Sequence, residues 1–234
     1  MLNYFKKIFK KTEILQKYPP VIHAVRNQSL TYLEEGALND IFNEVNRIEK
    51  NGYKGILIEA GCALGGSAIV IANAKNKSRP FYVYDVFSMI PPPSQKDGAD
   101  IQERYNIIES GRSEGLNGNT YYGYEDNLLE KVKNNFTINN IDIKNSNIKF
   151  IQGLFEDTLL LDRPVALAHI DGDWYSSVIT CLQKIEPWLI SGGIFIIDDY
   201  YTWSGCKSAV DEYFHDKRDK FLFVDKSRLH IMKK

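Results

Sequence analysis

The chain has 234 residues, of which 44% are hydrophobic and 25% charged, a composition typical of globular proteins and unlike that of disordered or fibrous chains. This length fits one larger α/β or β domain. The 29 basic and 30 acidic residues give a net charge of -1, which argues against a chain-wide surface for nucleic acid. The cysteines, Cys62, Cys181 and Cys206, form no CxxC pair, so we expect neither disulfides nor a zinc site, and a reducing cytoplasm fits.

The first eleven residues, MLNYFKKIFKK, mix apolar and basic side chains. The apolar stretches are too short for an export signal or a membrane span. One interpretation of residues 1–11 is a basic amphipathic helix that makes weak contact with anionic lipid. The alternative is a solvated helix that packs on the domain. In either case we treat residues 1–28 as an N-terminal helical segment.

Apolar residues then recur at helical spacing from Ala37 to Ile48, and a strand-like run follows at Gly55–Ile58. Six more apolar runs predict strands at Phe81–Tyr84, Ile148–Ile151, Ala166–Ile170, Gly193–Ile197, Phe221–Val224 and Leu229–Met232. Helical patterns lie between the first five strands, at Ser67–Ala74, Leu128–Asn134 and Ser177–Leu189. Such alternation predicts parallel strands joined by right-handed crossovers.

The last two predicted strands break this alternation. Their link, Asp225 to Arg228, leaves no room for a helix, so the two strands must pair antiparallel. Residues 29–234 are therefore predicted to form one α/β domain, a doubly wound, mostly parallel, seven-stranded Rossmann-like sheet with an antiparallel C-terminal hairpin.

The segment from Ser88 to Tyr124 contains Pro91, Pro92, Pro93 and several glycines. It is long for a connector in a compact domain, and such segments are functional lids or are partly disordered. The pattern leaves both alternatives open, and we call residues 88–124 the lid segment.

A glycine-spaced turn, EAGCALGGS, follows the first strand at positions 59–67. Glycine is needed where the backbone turns sharply or approaches a ligand closely. A dinucleotide fingerprint would need glycine where Ala63 stands, so a pyrophosphate site is disfavoured. The spacing of Glu59, Gly61 and Gly65 instead resembles motif I of S-adenosylmethionine-dependent methyltransferases, in which a carboxylate binds the ammonium group of the cofactor. Their class I fold has the sheet and hairpin predicted above, although fold alone does not give function.

The second strand ends in Asp85, about 25 residues past the glycine turn, the interval at which nucleotide-binding folds place an acid on the ribose hydroxyls. The alternative is an ordinary acid at a strand end. Together with the glycine turn and the strand order, Asp85 favours a cofactor site.

Two acidic clusters also follow strands: Asp171 and Asp173 after one, and Asp198 and Asp199 after the next. Ligands bind at the carboxyl edge of such sheets, so Asp171, Asp198 and Asp199 are expected to converge. Carboxylates without histidine or thiolate suit magnesium; the alternative is that some of them cap helices or pair with lysines. A bound cation would hold a substrate hydroxyl and lower its pKa, and Asp171 or Asp173 would accept the proton.

Four segments make the sequence similar to the macrocin O-methyltransferase family, bacterial magnesium-dependent sugar O-methyltransferases. They are GLFEDTL at Gly153–Leu159, IDGDWY at Ile170–Tyr175, GGIFIIDDY at Gly192–Tyr200 and GCKSAVD at Gly205–Asp211. With Ser29–Thr31 and Asp85–Phe87, the resemblance runs from about Ser29 to the C-terminus.

This resemblance implies that S-adenosylmethionine and Mg²⁺ are the cofactors. Asp171, Asp198 and Asp199 would bind the metal, and Asp171 would be the catalytic base. Tyr175 and Ser176 are expected to contact the substrate, and the lid segment would cover it. The residues expected to bind the cofactor are Glu59, Gly61, Gly65, Gly66, Ser67, Asp85, Phe87, Phe155, Glu156 and Asp157.

The sequence departs from the family where Ser176 replaces an acid and where no histidine stands between Asp85 and Gly153, so a macrolide sugar is not the expected acceptor. We expect a small sugar or glycan-precursor acceptor, no nucleic-acid partner and a homo-oligomer. One alternative is a catechol or diol O-methyltransferase, although Trp174 stands where those enzymes carry a lysine. The other is a noncatalytic S-adenosylmethionine-binding module.

Overall fold

The computed structural model describes residues 18–234, and these form one seven-stranded sheet. Its order is β3-β2-β1-β4-β5-β7-β6. Strands β1 to β5 pair in parallel, and β7 pairs antiparallel with β5 and β6. The predicted fold class is therefore confirmed. The strands are β1 (Ile56–Ala60), β2 (Phe81–Asp85), β3 (Ile148–Gln152), β4 (Val165–Ile170), β5 (Leu189–Ile197), β6 (Phe221–Asp225) and β7 (Leu229–Lys233).

Helices cover both faces of the sheet. They are α1 (Pro20–Asn27), α2 (Glu35–Lys50), α3 (Gly66–Ala74), α4 (Ala99–Glu109), α5 (Leu128–Ile138), α6 (Phe155–Thr158), α7 (Tyr175–Ile185) and α8 (Ser204–Tyr213). Leu57 and Val83 face the core layer that contains α1, α2, α3 and α5, whereas Ile58 and Tyr84 face the layer with α7 and α8. Burial on both faces explains why the parallel strands are continuously apolar rather than alternating.

Several helices differ from the sequence expectations. The helix predicted at Ser177–Leu189 ends at Ile185, and a 3₁₀ turn with Pro187 follows, since proline has no N–H to continue the helix. Helices α4, α6 and α8 were not predicted. Helix α6 has only four residues, and α4 buries only Ile101 and Ile108, too few for a clear helical period. The expected membrane contact concerns residues 1–11, which lie outside the described residues. Within residues 18–234 the helices are too short or too polar to span a membrane.

The lid segment has secondary structure of its own, helix α4 and 3₁₀ turns at Leu116–Gly118 and Tyr122–Tyr124. It is attached to the carboxyl edge of the sheet. The indole N–H of Trp174 donates to the carbonyl of Pro91 (2.9 Å), and the backbone N–H and hydroxyl of Ser204 donate to Asp100 (3.0 and 2.6 Å). The segment is thus positioned over the edge at which the acids were predicted.

Candidate functional site

Backbone hydrogen bonds align the turns that follow β1, β4 and β5. The N–H of Asp171 donates to the carbonyl of Ala60, and the N–H of Asp198 donates to that of Ile170, each at 2.9 Å. The ladder therefore continues one residue past the strands and brings both acidic turns beside the glycine turn, as expected at the carboxyl edge of a parallel sheet.

The glycine turn allows this close approach. Gly61 has a φ of +88°, and a Cβ built on it would overlap the carbonyl oxygen of Asp171. Gly65, at φ +91°, precedes the first turn of α3. Ala63 also lies in the left-handed region, at φ +44°, a conformation that L-residues other than glycine rarely adopt. The loop between β1 and α3 is therefore folded tightly against the first acidic turn.

Asp85 fixes the other side of the glycine turn. Its carboxylate accepts hydrogen bonds from the backbone N–H groups of Cys62 (2.7 Å), Ala63 (3.2 Å) and Phe87 (2.7 Å). Burial raises the pKa of Asp85 above its usual value, against the lowering effect of those hydrogen bonds. A carboxylate has about four acceptor positions, so one remains for a ligand hydroxyl.

Glu59 lies behind the glycine turn and is fully buried. Its carboxylate accepts the hydroxyl hydrogen of Ser67 and lies 3.0 Å from Nδ1 of His169. Burial lowers the pKa of His169, but the carboxylates of Glu59 and Asp198 outweigh that effect and raise it well above its usual range. Glu59 thus pairs with protein groups, and its contact with a cofactor ammonium group stays a prediction.

Three carboxylates converge where the acidic turns meet. Oxygens of Asp171, Asp173 and Asp199 lie within 4.8 Å of one another, and the N–H of Asp173 donates to Asp199 at 3.3 Å. Asp173 reaches this position through a left-handed backbone, φ +53°. Burial and neighbouring carboxylates raise the pKa of Asp171 and Asp199 well above the usual value and that of Asp173 to about 6. An all-oxygen donor set whose charges repel one another fits a hard divalent cation such as Mg²⁺.

The structure places Asp198 differently from its expected metal partners. Its Oδ1 accepts a 2.6 Å hydrogen bond from Nε of Arg228 and lies 3.8 Å from Nε2 of His169. Burial raises the pKa of Asp198, but His169 and Arg228 outweigh that effect and lower it. Each carboxylate oxygen has two lone pairs, so this ion pair leaves acceptor positions for a metal. The assignment of Asp198 as a ligand stays a prediction.

Two cavities meet at these acids. The first, of about 290 Å³, is lined by residues that include Asp85, Ile90, Leu154, Phe155, Glu156 and Ser176. The second, of about 330 Å³, is lined by residues that include Thr31, Gly61, Ser67, Arg104, Asp199 and Trp203. Tyr122, Asp171 and Asp173 line both. The two cavities are therefore adjacent, and the acids lie at their junction.

The residues predicted for the site fall into three groups. Those in the first cavity are Asp85, Phe155, Glu156 and Ser176, with Asp171 shared. Those in the second are Gly61, Gly66, Ser67, Asp198 and Asp199. Those that line neither cavity are Glu59, Gly65, Phe87, Asp157 and Tyr175. Ser176, which we expect to contact the substrate, thus lines the same cavity as Asp85.

Sequence reasoning missed several residues of the second cavity, namely Tyr32, Arg104, Tyr121, Trp203 and Arg228. Arg104 and Tyr121 come from the lid segment, and Tyr32, Trp203 and Arg228 come from loops, where no periodicity indicates the direction of a side chain. The signal available in the sequence is the concentration of tyrosines at Tyr121, Tyr122 and Tyr124 near the end of the lid segment.

Comparison with protein-family models gives a match to Macrocin-O-methyltransferase (TylF) over residues 25–221. The demethyldecarbamoylnovobiocin O-methyltransferase of Streptomyces niveus is 29% identical over 207 residues, which are 82% of this chain and 71% of that protein. A tetracenomycin-C rhamnosyl 4'-O-methyltransferase of Streptomyces olivaceus is 30% identical over 206 residues, 84% of this chain and 69% of that protein. The solved structure of the O-methyltransferase NovP is similar with a TM-score of 0.71 and 26% identity, covering 90% of this chain and 87% of NovP.

Proposed function

This chain belongs to the macrocin O-methyltransferase family, and from that premise we propose that it transfers the methyl group of S-adenosylmethionine to a hydroxyl of a sugar or glycan precursor. Mg²⁺ would bind at the acid cluster, the carboxylates of Asp171, Asp173, Asp198 and Asp199. The curated relatives are named as O-methyltransferases of antibiotics, one of them acting on a rhamnosyl group. The enzyme is accordingly an S-adenosylmethionine-dependent O-methyltransferase. The proposed features are its acceptor and its use of Mg²⁺.

One observation carries the proposal: the two cavities share Asp171, Asp173 and Tyr122. A methyl transferase must hold donor and acceptor in line at one point, since orientation supplies much of the rate. In our assignment Asp85 holds the cofactor ribose in the first cavity, and Phe155, Glu156 and Asp157 lie near the adenine. The second cavity holds the methionine end beside Gly61, Gly66 and Ser67 and has room for the acceptor.

Bound S-adenosylmethionine supplies an electrophilic methyl group, and bound Mg²⁺ lowers the pKa of an acceptor hydroxyl. The chain itself would hold the metal through Asp171, Asp198 and Asp199, and Asp171 would take the hydroxyl proton as general base. Asp173 lies beside Asp171 and is the second candidate base. The described residues that line the two cavities include no lysine, which supports a carboxylate base over the lysine expected of a catechol-type enzyme.

We further propose that the enzyme works in the cytoplasm as a homo-oligomer and binds no nucleic acid. Its three cysteines are free, buried thiols, a state suited to a reducing compartment. Light scattering of the purified protein tests the oligomer. Cosedimentation with anionic liposomes, with and without residues 1–11, tests the membrane contact expected of the basic N-terminus.

Titration calorimetry with S-adenosylhomocysteine tests the proposed function. We expect binding by the wild-type protein and at least tenfold weaker binding by Asp85→Ala, because the variant loses the ribose contact and the anchor of the glycine turn. Asp162→Ala, which removes an exposed acid paired with Arg163 (2.6 Å), is the matched control. Methyl transfer is then assayed on sugar nucleotides, free sugars and catechol, with Mg²⁺ and with EDTA. Failure to bind S-adenosylhomocysteine contradicts the proposal, and transfer to catechol alone favours the diol enzyme.

A further inference from the structure

Arg104 of the lid segment presents a positive charge to the second cavity. It lies on α4, between the buried side chains of Ile101 and Ile108, and its guanidinium carbon is 5.7 Å from the centre of the Tyr121 ring. The side chain is half-buried. Its position is therefore fixed by a packed helix rather than by a free loop.

The guanidinium has no committed partner among the described residues. Over residues 18–234 it makes no hydrogen bond and no ion pair within 4.0 Å. Asp173 lines the same cavity, yet the two groups form no hydrogen bond or ion pair. A guanidinium offers five donors in a planar fork that matches carboxylate and phosphate oxygens, and here those donors are free to bind a ligand.

The other arginine of this cavity shows the contrast. Arg228 donates from Nε to Asp198 (2.6 Å) and from a terminal nitrogen to Glu34 (2.9 Å). Its charge is used within the protein. Of the two arginines that line the second cavity, Arg104 is thus the one available to a bound molecule.

We propose that Arg104 binds an anionic group, a phosphate or a carboxylate, on the acceptor, so that the enzyme selects charged sugars such as sugar phosphates. This inference rests on the proposed function. Arg104 lines the same cavity as Asp171 and Asp199, so an acceptor whose hydroxyl lies at these acids shares that cavity with the guanidinium. The cofactor's carboxylate is the other anion expected in this cavity, since the methionine end is assigned to it beside Gly61, Gly66 and Ser67.

The test compares Arg104→Gln and Arg104→Lys with Arg112→Gln. Arg112 is an exposed arginine of the same lid segment and donates to Ser110 (2.8 Å). Each protein is titrated with S-adenosylhomocysteine and then, saturated with it in Mg²⁺, with glucose 1-phosphate, inorganic phosphate, glucuronate and neutral methyl glucoside.

We expect Arg104→Gln to bind the anionic probes at least tenfold more weakly than the wild-type protein, since charge-assisted hydrogen bonds are lost. Binding of S-adenosylhomocysteine and methyl glucoside should stay within twofold. Arg104→Lys should be intermediate, because it keeps the charge without the fork, and Arg112→Gln should match the wild type.

Three outcomes overturn the inference while leaving the proposed function in place: no preference of the wild-type protein for the anionic probes, equal anion binding by Arg104→Gln, or weaker binding of S-adenosylhomocysteine alone. The last outcome assigns Arg104 to the cofactor carboxylate. Failure of the wild-type protein to bind S-adenosylhomocysteine would instead refute the proposed function itself.

Discussion

Asp97 of the lid segment accepts a hydrogen bond from the backbone N–H of Tyr175 at 2.7 Å. Tyr175 is the first residue of α7, two positions past Asp173, so this contact caps the helix that follows the first acidic turn. The second oxygen of Asp97 accepts hydrogen bonds from the N–H and hydroxyl of Ser94 (2.7 and 2.8 Å). One buried carboxylate thus joins the lid segment to the turn that carries the acids.

Asp97→Ala is expected to loosen the lid segment. Loss of a helix-capping carboxylate lowers the free energy of unfolding by about 1 kcal/mol. We also expect a higher acceptor KM and weaker binding of S-adenosylhomocysteine, because the lid segment supplies Ile90 to the first cavity and Arg104 to the second.

Hydrogen exchange of residues 88–124, chemical unfolding and steady-state kinetics measure these effects. Asp142→Ala is the matched control, since it removes an acid that caps a turn at Asn145 (3.0 Å) away from the site. Unchanged exchange of the lid segment in Asp97→Ala would show that the contact does not hold it.

The acid cluster should bind Mg²⁺ through Asp171 and Asp199. Asp171→Asn and Asp199→Asn each remove one negative ligand, and we expect loss of measurable Mg²⁺ binding in calorimetry and loss of methyl transfer. Circular dichroism should show both variants folded. Retained Mg²⁺ binding in both would contradict a metal site at these acids.

The family resemblance and the geometry differ on which carboxylate is the third ligand of Mg²⁺. The family resemblance assigns Asp198, whereas the oxygens that lie within 4.8 Å of one another are those of Asp171, Asp173 and Asp199. We expect Asp198→Asn to weaken the binding of Mg²⁺ at least tenfold and Asp173→Asn to change that binding little. The reverse result would make Asp173 the ligand and leave Asp198 as the partner of Arg228.

The sequence predicted the fold well because its strongest signal, continuous apolar runs, reports strands buried on both faces. It also predicted which acids reach the sheet edge, since strand order alone determines that. The approach of Asp173 to Asp199 depends on the left-handed backbone of Asp173. Aspartate adopts that conformation more often than most residues do, but the segment IDGDWY does not indicate which of its residues adopts it. Arg104 reaches the site on α4, whose two buried residues give no clear period, so side chains supplied by the lid segment were beyond prediction.

Gly61→Ala should damage the site through crowding more than through backbone strain. Its Cβ would meet the carbonyl of Asp171 and displace the first acidic turn. Gly111→Ala is the matched control, because Gly111 also has a positive φ, +75°, but no atom within 4 Å of a built Cβ. We expect Gly111→Ala to cost about 1 kcal/mol of stability with normal cofactor binding. Gly61→Ala should cost more and abolish binding of S-adenosylhomocysteine, and equal effects of the two variants would argue that the close approach at Gly61 is unimportant.

Glu44 of α2, which lines neither cavity, should make stability depend on acid pH. Its buried carboxylate accepts hydrogen bonds from Arg47 (2.6 Å) and Lys226 (2.8 Å) and lies 3.7 Å from His230, so it joins α2 to the C-terminal hairpin. Burial alone would raise the pKa of Glu44, but the neighbouring His230 ring and hydrogen bonds from Lys226 and Arg47 outweigh it and hold the pKa well below its ordinary value of 4.5. A lowered folded-state pKa stabilises the protein above about pH 4.5, and that contribution is lost as the pH falls toward the folded-state value.

Glu44→Gln is therefore expected to lower the free energy of unfolding by about 2 kcal/mol at pH 7. The difference from the wild-type protein should shrink by about 1.4 kcal/mol for each pH unit below 4.5, because the unfolded wild-type chain binds a proton there that the folded chain does not. Urea unfolding between pH 3 and pH 7 measures it. Glu130→Gln, which removes an exposed partner of Lys133, should change stability by less than about 1 kcal/mol at every pH. A constant difference between Glu44→Gln and the wild-type protein across this range would mean that the ion pairs, although present, do not shift the titration of Glu44.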